Sequence, residues 1–217
     1  MDQAGIIRKT TQFVKQEFSG DSSGHDWWHV HRVWRTALFL CQREKADAFV
    51  VQLAALLHDL DDWKLIATGD DTPRRAQAWL ESCGLDPQVI EQVCGIIRQI
   101  SFKGGAVEDD MQSLEGRIVQ DADRLDAIGA IGIARAFAYG RYENRPIYDP
   151  ESPPHRHGSF EEYRKSRSAT INHFHEKLLL LKDRMHTPAA RHLAERRHQV
   201  MLGYLDQFMD EWDGKDL

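Results

Sequence analysis

The stretch Leu53–Lys64, LAALLHDLDDWK, puts His58 and Asp59 at the end of an apolar helical run, with Asp61, Asp62 and Lys64 close behind. Ala54, Ala55, Leu56 and Leu57 are residues that a helix buries, so the His-Asp pair is expected at the inner end of a core helix. A buried carboxylate is costly unless something positive lies beside it. No Lys or Arg stands between Asp47 and Lys64, so that charge must come from elsewhere. A bound divalent cation is the economical candidate. Two other stretches carry candidate chemistry, Asp26–Val33 (DWWHVHRV) and Asp121–Ala127 (DADRLDA).

The elements that must position these residues read as helices throughout. Ile6, Ile7, Phe13, Val14 and Phe18 recur at helical spacing ahead of a GDSSG turn. A second helix is predicted over about 26–43, and a third over 46–60. Asp71-Thr72-Pro73 reads as a cap with proline in the first turn, and Asp86-Pro87 repeats that signal. FKGGAVEDD reads as a loop, and 114–137 as one long helix weakened in its middle by Gly129 and Gly132. From Gly140 to Gly158 four prolines and two histidines follow without a period, as in a functional loop or lid. Ser159 with Glu162 forms a capping box for a helix through Leu181, and Thr187-Pro188 opens the last one. No alternating strand pattern appears. The expectation is an all-α, single-domain helical bundle over residues 1–217, its motif core at about 25–135 and its C-terminal helices at 159–213.

Composition narrows the function classes. The 217 residues are 41% hydrophobic and 29% charged, as in a globular protein with one generous core. A net charge of −6 argues against a nucleic-acid binder, which normally shows a basic face. Cys41, Cys83 and Cys94 are too few and too scattered for a disulfide framework or a zinc cluster. Free thiols, no apolar leader and no run of about 18 apolar residues lead to the expectation of a cytoplasmic protein with no membrane partner. A Walker-type glycine-rich loop is absent, which excludes P-loop chemistry.

Taken in order, His29, His58-Asp59, Asp62 and Asp123 resemble the HD superfamily of metal-dependent phosphohydrolases, whose pattern is H…HD…D on a helical bundle. DWWHVHRV is similar to the DxxHxxRV form of the first element, ALLHDL to the second, and DADRLDA to the segment supplying the last aspartate. A closer resemblance is to a short bacterial branch, carried by DADRLDAIGAIGIAR and INHFHEKLLLLKDRM, and it covers roughly His25 to Tyr204. The resemblance implies that His29, His58, Asp59 and Asp123 hold a metal. Two imidazoles and two carboxylates suit manganese best among the candidates, with magnesium, iron, nickel and zinc left open. Such an ion makes a hydroxide-like nucleophile from water and polarises a phosphoryl oxygen. Asp62, one turn after Asp59, is the implied catalytic acid, where the family more often has Glu. Two-metal relatives add two histidines between HD and the last aspartate; none occurs from Leu60 to Ala122, so one ion is expected.

The branch further implies hydrolysis of (deoxy)nucleoside triphosphates to monophosphate and pyrophosphate. A nucleoside 5′-monophosphatase and a non-catalytic nucleotide sensor with a structural metal stand as alternatives. An anionic nucleotide needs cationic partners besides the metal. Lys64 and Arg32 lead the candidates, followed by Lys103, His157 and, as a support or substrate contact, Asp126; Arg124, Arg141, Arg145, His155 and Arg164 are further cations. His31, two residues from His29, should point elsewhere; Asp61 is expected in solvent and Asp121 on another face. Trp27, Trp28 and Trp34 read as core and rim. The last helix, with Val200, Met201, Leu205, Phe208 and Trp212, packs internally or against a second copy in a homodimer.

Overall fold

The computed structural model describes residues 2–19, 26–61, 72–100, 110–155 and 168–217. These are helical, with no strand among the described residues, and the all-α class read from the sequence holds. No helix among them is long and apolar enough to cross a membrane. The chain divides into two compact units, the first ending at Asp123 and the second holding Arg124 to the C-terminus with 103–108.

The first unit contains α1 (Gln3–Glu17), α2 (Trp27–Glu44), α3 (Ala48–Leu57), α4 (Arg74–Ser82), α5 (Pro87–Gln99) and most of α6 (Leu114–Asp126). Its centre is α3, against which α1, α2 and α5 all pack. Phe49, Val50, Val51 and Leu53–Leu57 are buried on every side of that helix, the pattern of a segment surrounded by others. Val14, Val30, Val33, Leu40, Leu80, Val93 and Ile118 complete the core. Each aspartate that opens a helix caps it: Asp26 accepts from the His29 amide, Asp47 from Phe49 and Val50, and Asp86 from Gln88.

Two expectations for this unit are corrected. The third helix stops at Leu57 rather than running to Leu60, and His58–Asp61 form a turn in which the Leu60 amide donates to the Leu57 carbonyl. Helix α4 has Pro73 at its N-cap position, and proline has no side-chain acceptor to cap it. The acceptor comes instead from Asp61, which was expected in solvent: its carboxylate accepts the Arg75 amide at 3.1 Å and the Ala76 amide at 3.0 Å. A proline start leaves the next amides without an acceptor from the capping side chain, and Asp61 fills the role.

The second unit holds α7 (Gly129–Tyr142), α8 (Thr170–Glu176), a 3-10 segment (Leu178–Arg184) and α9 (Pro188–Trp212). The single helix predicted over 114–137 is two, separated at Ala127–Ile128. Gly129 sits at φ +76, a left-handed value that interrupts a right-handed helix at little cost only for glycine. A Cβ on Gly132 would lie 2.2 Å from the Ala127 carbonyl oxygen, so the bend needs glycine there as well. The predicted capping box at Ser159 and Glu162 lies outside the described residues. The described end of that predicted helix is α8, which gives way to the 3-10 segment at Lys177. Phe174, Leu125, Ile128, Leu181 and Met201 form the second core. From it a series of ring contacts runs along α9, from Phe137, Phe174 and Tyr204 to Phe208, Tyr148 and Trp212.

The described part of the proline-rich stretch after Tyr142 is tied to α8. Carbonyls of Pro146 and Ile147 accept the Thr170 and Ile171 amides, Asn172 donates to Ser152, and Glu176 accepts from the His155 amide. Helix α8 thus receives its missing first partners from the loop.

Candidate metal centre

Three elements of the first unit bring their side chains to one point. Helix α2 supplies His29, whose side chain is 1% exposed; the turn after α3 supplies His58 and Asp59; α6 supplies Asp123. His29 Nε2 lies 3.1 Å from Asp59 Oδ2, 3.5 Å from Asp123 Oδ1 and 3.3 Å from His58 Nε2. His58 Nε2 lies 3.4 Å from Asp59 Oδ1 and 3.9 Å from Asp123 Oδ1. The rings meet edge to face, their centroids 5.3 Å apart. His29, His58 and Asp59 are buried and satisfy the spacing of a possible metal site.

The donor chemistry fits a cation. His58 Nδ1 lies 2.9 Å from the Ala55 carbonyl, an acceptor, so this nitrogen carries the proton and Nε2 is left with its lone pair. That lone pair faces a second imidazole nitrogen and two carboxylates, a set of donors that repel one another unless something positive sits among them. Adjacent ligands on an octahedral ion with bonds of roughly 2.0–2.1 Å lie about 3 Å apart, and opposite ones about 4.2 Å. The observed separations, 3.1 to 3.9 Å, fall in that interval. Two aspartates match the charge of a dication.

The remaining sequence candidates fall in several places. Asp62, Lys64, Lys103, His157 and Arg164 lie outside the described residues. Arg32, half-buried, follows His29 by one residue short of a full turn on α2. His31 packs among Trp27, Trp28 and Trp34, and burial followed by the charges of Arg35 and Arg32 lowers its pKa from the ordinary histidine value. Trp27 is core, Trp28 is exposed, and Trp34 donates its indole N–H to Gln52. Asp121 is completely buried.

In the second unit Asp126 is buried and accepts from Arg135 at 3.0 Å, so one of its oxygens serves an ion pair. Arg124 is buried and donates to the Arg184 carbonyl. Arg141 donates to Asn144, and the Arg145 guanidinium lies over the Tyr139 ring. Sequence reasoning missed the role of Asp61 and its partner Arg75. The signal was a helix start without a Ser, Thr, Asp or Asn at the capping position.

The HD domain family model matches residues 27–128, the segment that carries all four site residues. The chain belongs to the HD superfamily. Among individual relatives, it is 39% identical to the uncharacterized protein YpgQ of Bacillus subtilis over 100% of this chain and 97% of that one. A crystal structure of YpgQ in complex with ADP aligns with a TM-score of 0.74 at 36% identity, covering 94% of this chain and 97% of that chain. A Bacillus thuringiensis protein described as an HD-superfamily hydrolase aligns with a TM-score of 0.74 at 40% identity, over 98% and 99% of the two chains. A Lactobacillus plantarum structure reaches a TM-score of 0.87 at 36% identity, over 99% and 100%. The family is one of hydrolases.

Proposed function

We propose that this protein is a metal-dependent phosphohydrolase that cleaves (deoxy)nucleoside triphosphates to monophosphate and pyrophosphate, using one divalent cation, manganese in preference to magnesium, iron, nickel or zinc. The observation that carries the reading is that the carboxylates of Asp59 and Asp123 each lie 3.1–3.9 Å from the imidazole nitrogens of His29 and His58, in a largely buried spot. When bound, such a cation supplies Lewis acidity at a phosphoryl oxygen and lowers the pKa of water it carries. His58 is held for this by the Ala55 carbonyl, which fixes its tautomer. His29 and Asp59, both buried, keep bulk water from the inner side of the site. Asp123, whose side chain is 34% exposed, marks the open side from which a substrate would approach.

Asp62 is assigned the proton of the attacking water and Lys64 with Arg32 the charge of the phosphates, on the sequence pattern. Lys103, His157 and Asp126 complete the proposed substrate contacts, Asp126 in addition to its pairing with Arg135. The ADP complex of the relative YpgQ supports a nucleotide as the class of ligand. Water attacks the α-phosphorus, the bond to the bridging oxygen breaks, and pyrophosphate leaves with that oxygen's electron pair. Phosphorus NMR of purified protein with manganese and a panel of nucleoside triphosphates tests this, the expected products being pyrophosphate and a monophosphate. Release of orthophosphate from nucleoside 5′-monophosphates instead would assign the monophosphatase activity. No turnover of any nucleotide would leave a sensor with a structural metal.

A further inference from the structure

Asp59 lies beyond the end of α3. Helix α3 ends at Leu57, and Asp59 lies in the turn His58–Asp61, whose helix-side end is held by the Leu60 amide donating to the Leu57 carbonyl. The far end of the same turn is held by α4. The Asp61 carboxylate accepts the amides of Arg75 and Ala76, and the Arg75 guanidinium returns a bond to the Leu60 carbonyl at 3.0 Å. The same guanidinium pairs with Glu17 at the end of α1. A reciprocal clasp therefore joins the two residues after Asp59 to the first turn of α4, with α1 as a third anchor. Backbone that is fixed at both ends loses little further freedom when the carboxylate between them takes up a ligand.

We propose that Asp61 and Arg75 are positioning residues for the metal centre: their clasp holds the His58–Asp61 turn so that the Asp59 carboxylate meets the imidazoles of His29 and His58. The inference rests on the metal-site reading above and adds to it two residues that touch neither metal nor substrate. Groups bonded directly to a metal ligand typically change metal affinity by roughly 10–100-fold when removed; Asp61 and Arg75 hold the backbone beside a ligand, so the lower end of that range is expected. Glu17 strengthens the clasp through charge, but the bonds of Asp61 and Arg75 to backbone define its geometry.

The test is manganese binding to the full-length protein by titration calorimetry, beside thermal unfolding of the metal-free form. Asp61→Ala and Arg75→Met are expected to raise the Kd for manganese by roughly 10-fold or more. Asp61→Asn, which keeps an oxygen able to cap α4, is expected to restore most of the affinity. Glu17→Gln, which spares both backbone bonds, should bind manganese within about 3-fold of the unaltered protein, below the loss expected for the partners themselves. A clasp that merely stabilises the fold would lower the metal-free Tm in Asp61→Ala and leave the Kd unchanged, and that result overturns the inference. Should Asp61→Ala fold poorly, Arg75→Met against Arg75→Lys gives the same comparison. The two readings separate cleanly: an unaltered protein that binds no manganese, zinc or cobalt sinks the metal centre and the clasp with it. Tight binding that the variants share sinks the clasp alone.

Discussion

Asp123 offers the cleanest perturbation of the proposed metal centre. Its Oδ1 lies 3.5 Å and 3.9 Å from the two imidazole nitrogens, yet its side chain is 34% exposed where those of His29 and His58 are 1%. Truncating either histidine would open a buried cavity and cost stability with or without a metal. Asp123→Asn keeps the shape and removes one negative charge. Two unit charges about 4 Å apart interact by roughly 4 kcal/mol at the effective dielectric near a protein surface. Discounted for solvent on the open side, a loss of about 2–3 kcal/mol follows, or roughly 30- to 150-fold in metal affinity.

The consequence in a thermal scan can be worked out. Metal at 100 times its Kd stabilises the native state by about 2.7 kcal/mol. For a chain of 217 residues, each kcal/mol moves Tm by roughly 2–4 °C, so manganese should raise it by about 5–11 °C. At the same manganese concentration, a variant with about 100-fold weaker binding keeps about 0.4 kcal/mol, a rise of only about 1–2 °C. Differential scanning fluorimetry of both proteins, first stripped with a chelator, makes the comparison. Equal shifts would refute the place of Asp123 in the site, and no shift for the unaltered protein with any divalent ion would refute the site itself.

Further outcomes follow from particular residues. Asp62→Asn should retain manganese binding by calorimetry while nucleotide turnover falls by roughly 100-fold or more, since it removes a proton acceptor and leaves the ligands alone. Gly132→Ala should lower stability by about 2–3 kcal/mol in a denaturant titration, because the new Cβ meets the rigid Ala127 carbonyl. Gly203→Ala in α9, with nothing within 4 Å, should be neutral or slightly stabilising. Burial, with Lys182 beside it, lowers the pKa of His198 in the folded state, and its Nδ1 has no hydrogen-bond partner among the described residues. Below its unfolded value of about 6.5 the unfolded chain binds the extra proton first, so stability rises with pH through that window and the contribution is complete above it. His198→Gln should flatten the decline in Tm measured from about pH 7 to pH 5.

The grouping of His29, His58 and Asp59 was legible in one dimension because its residues report their own needs. A His-Asp pair closing an apolar run, without a nearby Lys or Arg, demanded a charge from elsewhere. Helix starts at Asp26, Asp86 and Thr187 were legible for a similar reason, since the capping acceptor is adjacent to the amides it serves. The break at Gly129 was visible only as weakness, because glycine permits a left-handed residue without requiring one. Asp61 was read only as a solvated acid, and its capping role was missed. An acid beside two others in a polar stretch looks solvated until the helix it caps, 14 residues on, is folded against it.

The amino-acid sequence by itself determined the helical class, the family, and which imidazoles and carboxylates could share an ion. These follow from local periodicity, capping and residue chemistry, all of which act over a few residues. Only the tertiary structure decided that α2, the turn after α3, and α6 bring the carboxylates within 3.1–3.9 Å of the imidazole nitrogens. It also decided that Arg124 and Asp126, which ranked behind Lys64 and Arg32 as substrate candidates, have partners in Arg184 and Arg135. A charged side chain carries the same formal charge whether it meets a phosphate, a carbonyl or another ion. Which of these it meets depends on residues distant in the chain, and only folding brings them near.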